Sequence, residues 1–490
     1  MDDIHAQAKS GIKALMVRQV FLQIFTFGGG VILARVLGPA QFGLFAIASF
    51  WVGIFAILGD FGLAPSFIQR QAELTEHDLQ IGFTLQQIIT TIIVAALFVV
   101  SPLLGALYPK APTEIIWLVR ALAFSLYLTS WRAVSALQLE RRLRYKRLAW
   151  IEVVESVSYQ TIAVGLVLAG YGIWSLFWAV LTRSLLGTIL VYLAAPWRVG
   201  FRFDRGVAKG ILRYGLPFQL QEITNHSSDW VIPVLAAARI GPQAVGLLTW
   251  ASSNGKKPLI LVDNVMRVAF PHFSRIQDDR AEVERTLTRY LTYLLIPSGV
   301  WLAELLTAGP SLVVWIYSDK WIAGIPALML YGAALCFEVI NAAVAVTLNS
   351  LGLVRITTRA ILLRSLTLMG FSIFFMFLIG YNGIPLAYLV AYALTVPFLY
   401  AGLGDGALRR IVTPIIWILI PIVVSTVVGL AVVQIPLLAG PRSLITTIAV
   451  CLVYLSITLI AGPNWLASSF WVRCSPFMPV RISNIVRATK

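Results

Sequence analysis

Cysteine and acidic residues are both scarce in this chain of 490 residues. The three cysteines, Cys336, Cys451 and Cys474, fall at no metal-ligand spacing, and two lie inside apolar runs, which excludes a disulfide framework and a structural zinc site. Asp and Glu number 22 against 38 Lys and Arg, and charged residues make up 12% of the chain, about half a soluble domain's share. No Walker A loop, HExxH pair or metal-spaced Cys/His set occurs, and no polar stretch is long enough for a nucleotide-binding or glycosyltransferase domain. A non-enzymatic protein with no cofactor is therefore expected, drawing work from an ion gradient, the membrane potential or its substrate's own gradient.

Apolar residues are abundant instead, at 59% of the chain. They form runs of about 20 residues, the length of a membrane-crossing helix, separated by short polar breaks. Spans are expected near 13–35, 42–68, 82–107, 115–138, 150–169, 172–195, 214–238, 244–268, 288–308, 325–349, 357–379, 384–404, 413–434 and 444–462. The fold class is thus an all-α polytopic membrane protein with about fourteen transmembrane helices. Lys9, Lys13 and Arg18 precede the first run without a small-residue cleavage site, so that run is expected to be retained.

The net charge of +16 does not point to nucleic acid, because the basic residues lie in the breaks between runs. With the amino terminus in the cytoplasm, the inner segments hold clusters such as Arg141, Arg142, Arg144, Lys146 and Arg147, or Arg198, Arg202, Arg205, Lys209 and Arg213. The outer turns hold only Arg35, Lys110, Arg239, Lys320 and Arg442. That asymmetry predicts cytoplasmic amino and carboxyl termini.

A repeat divides the chain. Ala34-Arg35-Val36-Leu37-Gly38-Pro39, followed by Gly43-Leu44, is echoed after the seventh span by Ala238-Arg239-Ile240-Gly241-Pro242, followed by Gly246-Leu247. Gly170-Tyr171-Gly172-Ile173 before the sixth span is echoed by Gly380-Tyr381-Asn382-Gly383-Ile384 before the twelfth. An even number of spans separates the copies, so two six-helix lobes related by pseudo-two-fold symmetry around a central cleft are expected. The expected division is an N-lobe of residues 1–200, a C-lobe of residues 201–404, and a segment 405–490 with two further helices and a basic cytoplasmic tail.

Polar residues concentrate in the first two spans of each half. In the seventh span Gln219, Glu222, Asn225, His226 and Asp229 recur every three or four residues and share one helix face. The eighth span carries Ser252, Ser253, Lys256, Lys257, Asp263 and Arg267; the second adds Asp60, and the first Arg18, Gln19 and Gln23. Ionisable groups cost about 2.5–3.5 kcal/mol at mid-bilayer, so a cluster implies partners, water or a function. Lys256, Lys257, Arg18 and Arg267 suit an anionic head group, with the mid-span Arg183 next in line. Asp60, Glu222, Asp229 and Asp263 suit a coupling H⁺ or Na⁺, and Gln23, Gln219, Asn225, His226, Ser252 and Ser253 suit a wet cavity wall. The plainer alternative is that Lys256 or Lys257 pairs with Glu222 or Asp229 and pins two helices together. Arg120, Arg132, Glu152, Glu155, Glu304 and Glu338 are less clustered and read as snorkelling or interhelical pairs.

Ile32-Leu33-Ala34-Arg35-Val36-Leu37-Gly38-Pro39 with Phe42-Gly43-Leu44, then Gly59-Asp60-Phe61-Gly62-Leu63 with Ile68-Gln69, resembles the amino-terminal signature of bacterial polysaccharide-export flippases. These belong to the multidrug/oligosaccharidyl-lipid/polysaccharide exporter superfamily. Glu140-Arg141-Arg142-Leu143-Arg144-Tyr145-Lys146 and Val268-Ala269-Phe270-Pro271-His272-Phe273-Ser274-Arg275-Ile276-Gln277 are similar to the same group. The resemblance implies an inner-membrane flippase that carries an undecaprenyl-pyrophosphate-linked oligosaccharide to the periplasmic leaflet for O-antigen, capsule or exopolysaccharide assembly. It implies Lys256, Lys257 and Arg18 as pyrophosphate ligands, with a glycan polymerase and chain-length or export proteins as partners. The alternatives are a peptidoglycan-precursor flippase, a cation-coupled drug antiporter, or a non-transporting scaffold for glycan-synthesis enzymes.

Overall fold

The computed structural model describes residues 22–60, 63, 66–67, 74–142, 144–211, 236–403, 407–433 and 442–461. Among these residues there is no β-strand. The helices are α1 (Leu22–Val36), α2 (Pro39–Asp60), α3 (Glu76–Leu107), α4 (Glu114–Ser130), α5 (Ala133–Arg141), α6 (Tyr145–Leu168) and α7 (Trp174–Ala194). They continue as α8 (Pro242–Gly255), α9 (Leu259–Arg275), α10 (Arg280–Thr307), α11 (Gly309–Tyr317), α12 (Ile325–Ser350) and α13 (Val354–Ile379). The last three are α14 (Gly383–Ala401), α15 (Ala407–Val433) and α16 (Arg442–Ala461). Every expected span except the seventh is represented; that one lies outside the described residues apart from its last turn.

Seven stretches among the described residues are long and apolar enough to cross a bilayer. One of them, Val354–Ala401, contains both α13 and α14. Two expected spans are interrupted. The fourth breaks at Trp131 and Arg132 between α4 and α5, and the eighth at Lys256, Lys257 and Pro258 between α8 and α9. Pro258 accounts for the second break, since it has no N–H to continue the ladder. At the first break no proline is needed. The Leu128 carbonyl turns to accept both the Trp131 N–H, at 3.3 Å, and the Thr188 hydroxyl of α7, at 2.9 Å.

Contacts group the chain into two compact units, Met1–Thr249 with Ile316–Lys320, and Trp250–Trp315 with Trp321–Lys490. The start of α8 belongs to the first unit because the echoed turns touch there. A methyl group on Gly43 would strike the Pro242 carbonyl, and one on Gly246 would strike the Pro39 carbonyl. Only glycine allows backbones to approach so closely, and the contact is reciprocal. The short segment 316–320 joins the same unit through Arg35, whose Nε donates to the Ile316 carbonyl at 2.7 Å, and Lys320, which donates to the Arg35 carbonyl at 2.9 Å. Lys110 donates to the Arg239 carbonyl at 3.0 Å. Three of the basic side chains assigned to outer turns, Arg35, Lys110 and Lys320, thus donate to backbone carbonyls within the first unit.

Helix α9 shows how the core selects a face. Val262, Met266, Ala269 and Phe273 are buried at alternating spacings of four and three, in a core shared with residues of α12 such as Val339, Ala343 and Val344, the helix against which α9 chiefly packs. Asp263, Asn264 and Arg267 are left on the exposed side.

Candidate functional site

Lys256 stands in the turn between α8 and α9. Its ammonium lies 3.0 Å from Oε2 of Glu338 on α12, with the two side chains 16% and 13% exposed. It also lies 4.5 Å from the ring centre of Tyr388 and 5.8 Å from those of Tyr331 and Tyr392, within cation–π range of all three. The Tyr392 hydroxyl donates to the other oxygen, Oε1 of Glu338, at 3.0 Å, and the Arg364 guanidinium stacks 5.0 Å from the Tyr392 ring centre. The site is therefore an aromatic cage holding one ammonium against one carboxylate. The Trp301 indole fixes the turn by donating to the Gly255 carbonyl at 3.0 Å.

The neighbouring sequence-derived residues are distributed unevenly. Lys257 is partly buried beside Lys256; Ser252 is partly buried, while Ser253, Asp263, Arg267 and Gln23 are exposed. Asp60 closes α2, and its side chain is outside the described set. Arg18, Gln219, Glu222, Asn225, His226 and Asp229 also lie outside the described residues. The partner found for Lys256 is Glu338, which the sequence presents only as an isolated mid-span carboxylate. Tyr388 and Tyr392, four residues apart in an apolar span, were the available signal.

Arg183, the remaining cation proposed for phosphate, belongs to a second cluster, inside the first unit. Glu155 of α6, with its side chain 4% exposed, pairs with Arg132 at the α4–α5 break and lies 3.6 Å from Nε of Arg183 on α7, itself 50% exposed. Gly187 makes room: a methyl group there would collide with both the Glu155 carboxylate and the Arg132 guanidinium. Two guanidinium groups thus share one carboxylate. Arg120, by contrast, is a packing residue, donating to the Ser101 hydroxyl at 2.9 Å and stacking 5.1 Å from the Trp117 ring centre. Among the described residues no group of three His, Cys, Asp or Glu side chains is arranged to hold a metal.

The sequence profile of a family described as polysaccharide biosynthesis protein matches residues 32–326, more than half of the chain. The chain belongs to that family. The chain is 29% identical over 307 residues to the succinoglycan biosynthesis transport protein ExoT of Rhizobium meliloti (strain 1021), covering 61% of this chain and 60% of that one. It is 22% identical to the lipopolysaccharide biosynthesis protein WzxC of Escherichia coli (strain K12), over 61% of each chain. The match to each therefore spans about three fifths of the relative's length. Among solved structures, a lipid II flippase MurJ in an inward closed conformation shares the fold with a TM-score of 0.75 at 16% identity, over 92% of this chain and 99% of that one. An inward-facing multidrug resistance MATE family transporter follows at 0.59 and 16%, over 80% and 95%. The chain is accordingly a multi-pass membrane protein that shares the fold of these two structures.

Proposed function

We propose that this protein is a flippase that moves a polyprenyl-pyrophosphate-linked oligosaccharide from the cytoplasmic to the periplasmic leaflet of a bacterial inner membrane by alternating access. Membership of the family, relatives named for succinoglycan transport and lipopolysaccharide biosynthesis, and the lipid II flippase fold support the reading. The observation that carries it is the Lys256 cage. A lysine side chain set against one carboxylate and three ring faces, in the turn between α8 and α9, can change partner while staying among polar and aromatic groups. A pyrophosphate oxygen can offer Lys256 a charge-assisted hydrogen bond in place of its ion pair with Glu338. Lys257 and the exposed Arg267 then supply further positive charge, while the polyprenyl tail stays in lipid.

Cation coupling completes the cycle. A proton or Na⁺ taken by Glu338 when Lys256 leaves it, or by Asp263 on the exposed face of α9, biases the protein between its inward and outward states. The concentration of basic residues on one side of the spans favours cytoplasmic termini. A chain working in this way needs no enzymatic step, and its partners are the polymerase and chain-length or export proteins that consume the flipped glycan. The test is a cell whose only copy carries Lys256→Ala with Lys257→Ala. Normal membrane expression with loss of surface polysaccharide is expected. Normal surface polysaccharide with both lysines gone rules out the phosphate role.

A further inference from the structure

Arg132 of the Arg132–Glu155–Arg183 cluster lines a cavity of about 400 Å³ inside the first unit, within the size range of small-molecule sites. Its wall includes Gln86 and Thr90 of α3, Thr129 and Ser130 at the end of α4, Arg132 in the break, and Glu140 of α5. Between these polar groups lie apolar side chains such as Ile93 and Leu126. Three independent features meet here: a cavity, a membrane helix interrupted at its wall, and a guanidinium oriented by a buried carboxylate. Interrupted membrane helices are tolerated where they line a cavity, and they are the usual site of substrate contact in transporters.

The chemistry of the wall discriminates between ligands. Pyrophosphate carries only acceptors, so the Glu140 carboxylate has no hydrogen bond to offer it. Arg132 is the one cation among the lining residues, and it is already shared with Glu155. A sugar ring differs on both counts. Its hydroxyls donate and accept, matching a guanidinium, a carboxylate, a carboxamide and hydroxyls, and its C–H faces suit the apolar side chains between them. Thr90, which is 2% exposed, acts as a positioning residue: its hydroxyl accepts from Gln86 Nε2 at 3.1 Å and orients that carboxamide.

We infer that this cavity is a saccharide subsite. It takes sugar residues of the lipid-linked glycan, with Gln86, Arg132 and Glu140 bonding to ring hydroxyls, while the pyrophosphate is held by other cations. The inference rests on the flippase reading and adds to it the place where the glycan is recognised. It makes the first unit the seat of sugar selectivity.

The experiment uses the purified full chain in lipid nanodiscs and two probes. One is the oligosaccharide released by mild acid from the source cell's own surface polysaccharide; the other is sugar-free undecaprenyl pyrophosphate. Gln86→Leu and Glu140→Gln are each expected to weaken oligosaccharide binding tenfold or more and to leave carrier binding within twofold, which also reports that the variants are folded. Gln86→Glu, which keeps an acceptor at the same reach, should recover part of the loss. Unchanged oligosaccharide affinity in both variants, or an equal loss on both probes, overturns the subsite. A wild-type chain that binds the carrier and not the oligosaccharide overturns the subsite alone, whereas one that binds neither overturns the flippase reading with it.

Discussion

Each unit encloses a carboxylate beside an interrupted membrane helix, yet the two carboxylates are matched by different cations. Glu155 in the first unit faces two guanidinium groups, Arg132 and Arg183, and leaves an excess of one positive charge. Glu338 in the second faces one ammonium, Lys256, and one phenol, Tyr392, inside a cage of tyrosine rings. Arginine presents a rigid, always-charged fork, whereas lysine is a point charge on a flexible stem. The first cluster is therefore built to hold a geometry and the second to exchange a partner. This contrast motivates assigning sugar recognition to one unit and phosphate binding to the other.

The largest effect should come from removing the carboxylate of the rigid cluster. Glu155→Ala leaves two arginines without their shared partner and is expected to cost about 3–5 kcal/mol of stability, read as a fall in the thermal unfolding midpoint in detergent. A cost under about 1 kcal/mol would mean that the half-exposed Arg183 and its neighbour are satisfied elsewhere, and the contrast with Glu338 would vanish. Next come the reciprocal glycines. Gly43→Ala and Gly246→Ala each drive a methyl group into a backbone carbonyl, an overpacking of about 3 kcal/mol because backbone cannot rotate aside. The two costs should be equal within error and less than additive in the double variant, since both probe one contact.

The exchangeable pair yields a sharper test. Glu338→Gln should cost about 2 kcal/mol in stability through loss of a charge-assisted bond, yet it frees Lys256 and should preserve or tighten undecaprenyl pyrophosphate binding. Lys256→Met should abolish that binding. If the two variants instead weaken binding alike, and the double variant is no worse than either, the pair merely pins α9 to α12 and the comparison between the units loses its functional half.

How much of this was legible in the sequence depends on the distance over which each feature is encoded. Span positions follow from local hydropathy: thirteen of the fourteen expected spans have helical counterparts among the described residues, two of them split in two, whereas the short α11 has no expected counterpart. The echo of Gly38-Pro39 and Gly43 in Gly241-Pro242 and Gly246 was visible too, but that the two copies touch is a tertiary fact. The interruptions at Arg132 and Lys256 were not visible: hydropathy averages over a window wider than a two- or three-residue break, and the first has no proline to betray it. Lys256 stood out as an intramembrane cation, whereas its partner Glu338 is 82 positions away in the chain, and nothing local joins them. Gln86 and Thr90 were overlooked because polar uncharged side chains are common in membrane helices, and only the cavity gives them a role.

The smallest effects should lie at the ends of α3 and α10, the third span and its counterpart in the six-plus-six scheme. Both begin with a side-chain cap, but the caps differ. Thr75 accepts from the Asp78 N–H at 3.2 Å while Asp78 accepts from the Thr75 N–H at 3.1 Å, a reciprocal box that satisfies two donors. Asp279 accepts from the Glu282 N–H at 3.0 Å, and Glu282 turns away toward Arg285, at 3.1 Å. Thr75→Ala and Asp279→Ala should each cost about 1 kcal/mol. Substitutions that keep the acceptor separate the causes. Thr75→Ser should be silent, and Asp279→Asn should lose only the few tenths of a kcal/mol that a negative charge contributes near a helix amino terminus. Amide hydrogen exchange in the first turn of each helix would read both effects. If Asp279→Asn exposes that turn as fully as Asp279→Ala does, then charge, and not the hydrogen bond, anchors the second unit's helix, and the two repeats solve the same end by different physics.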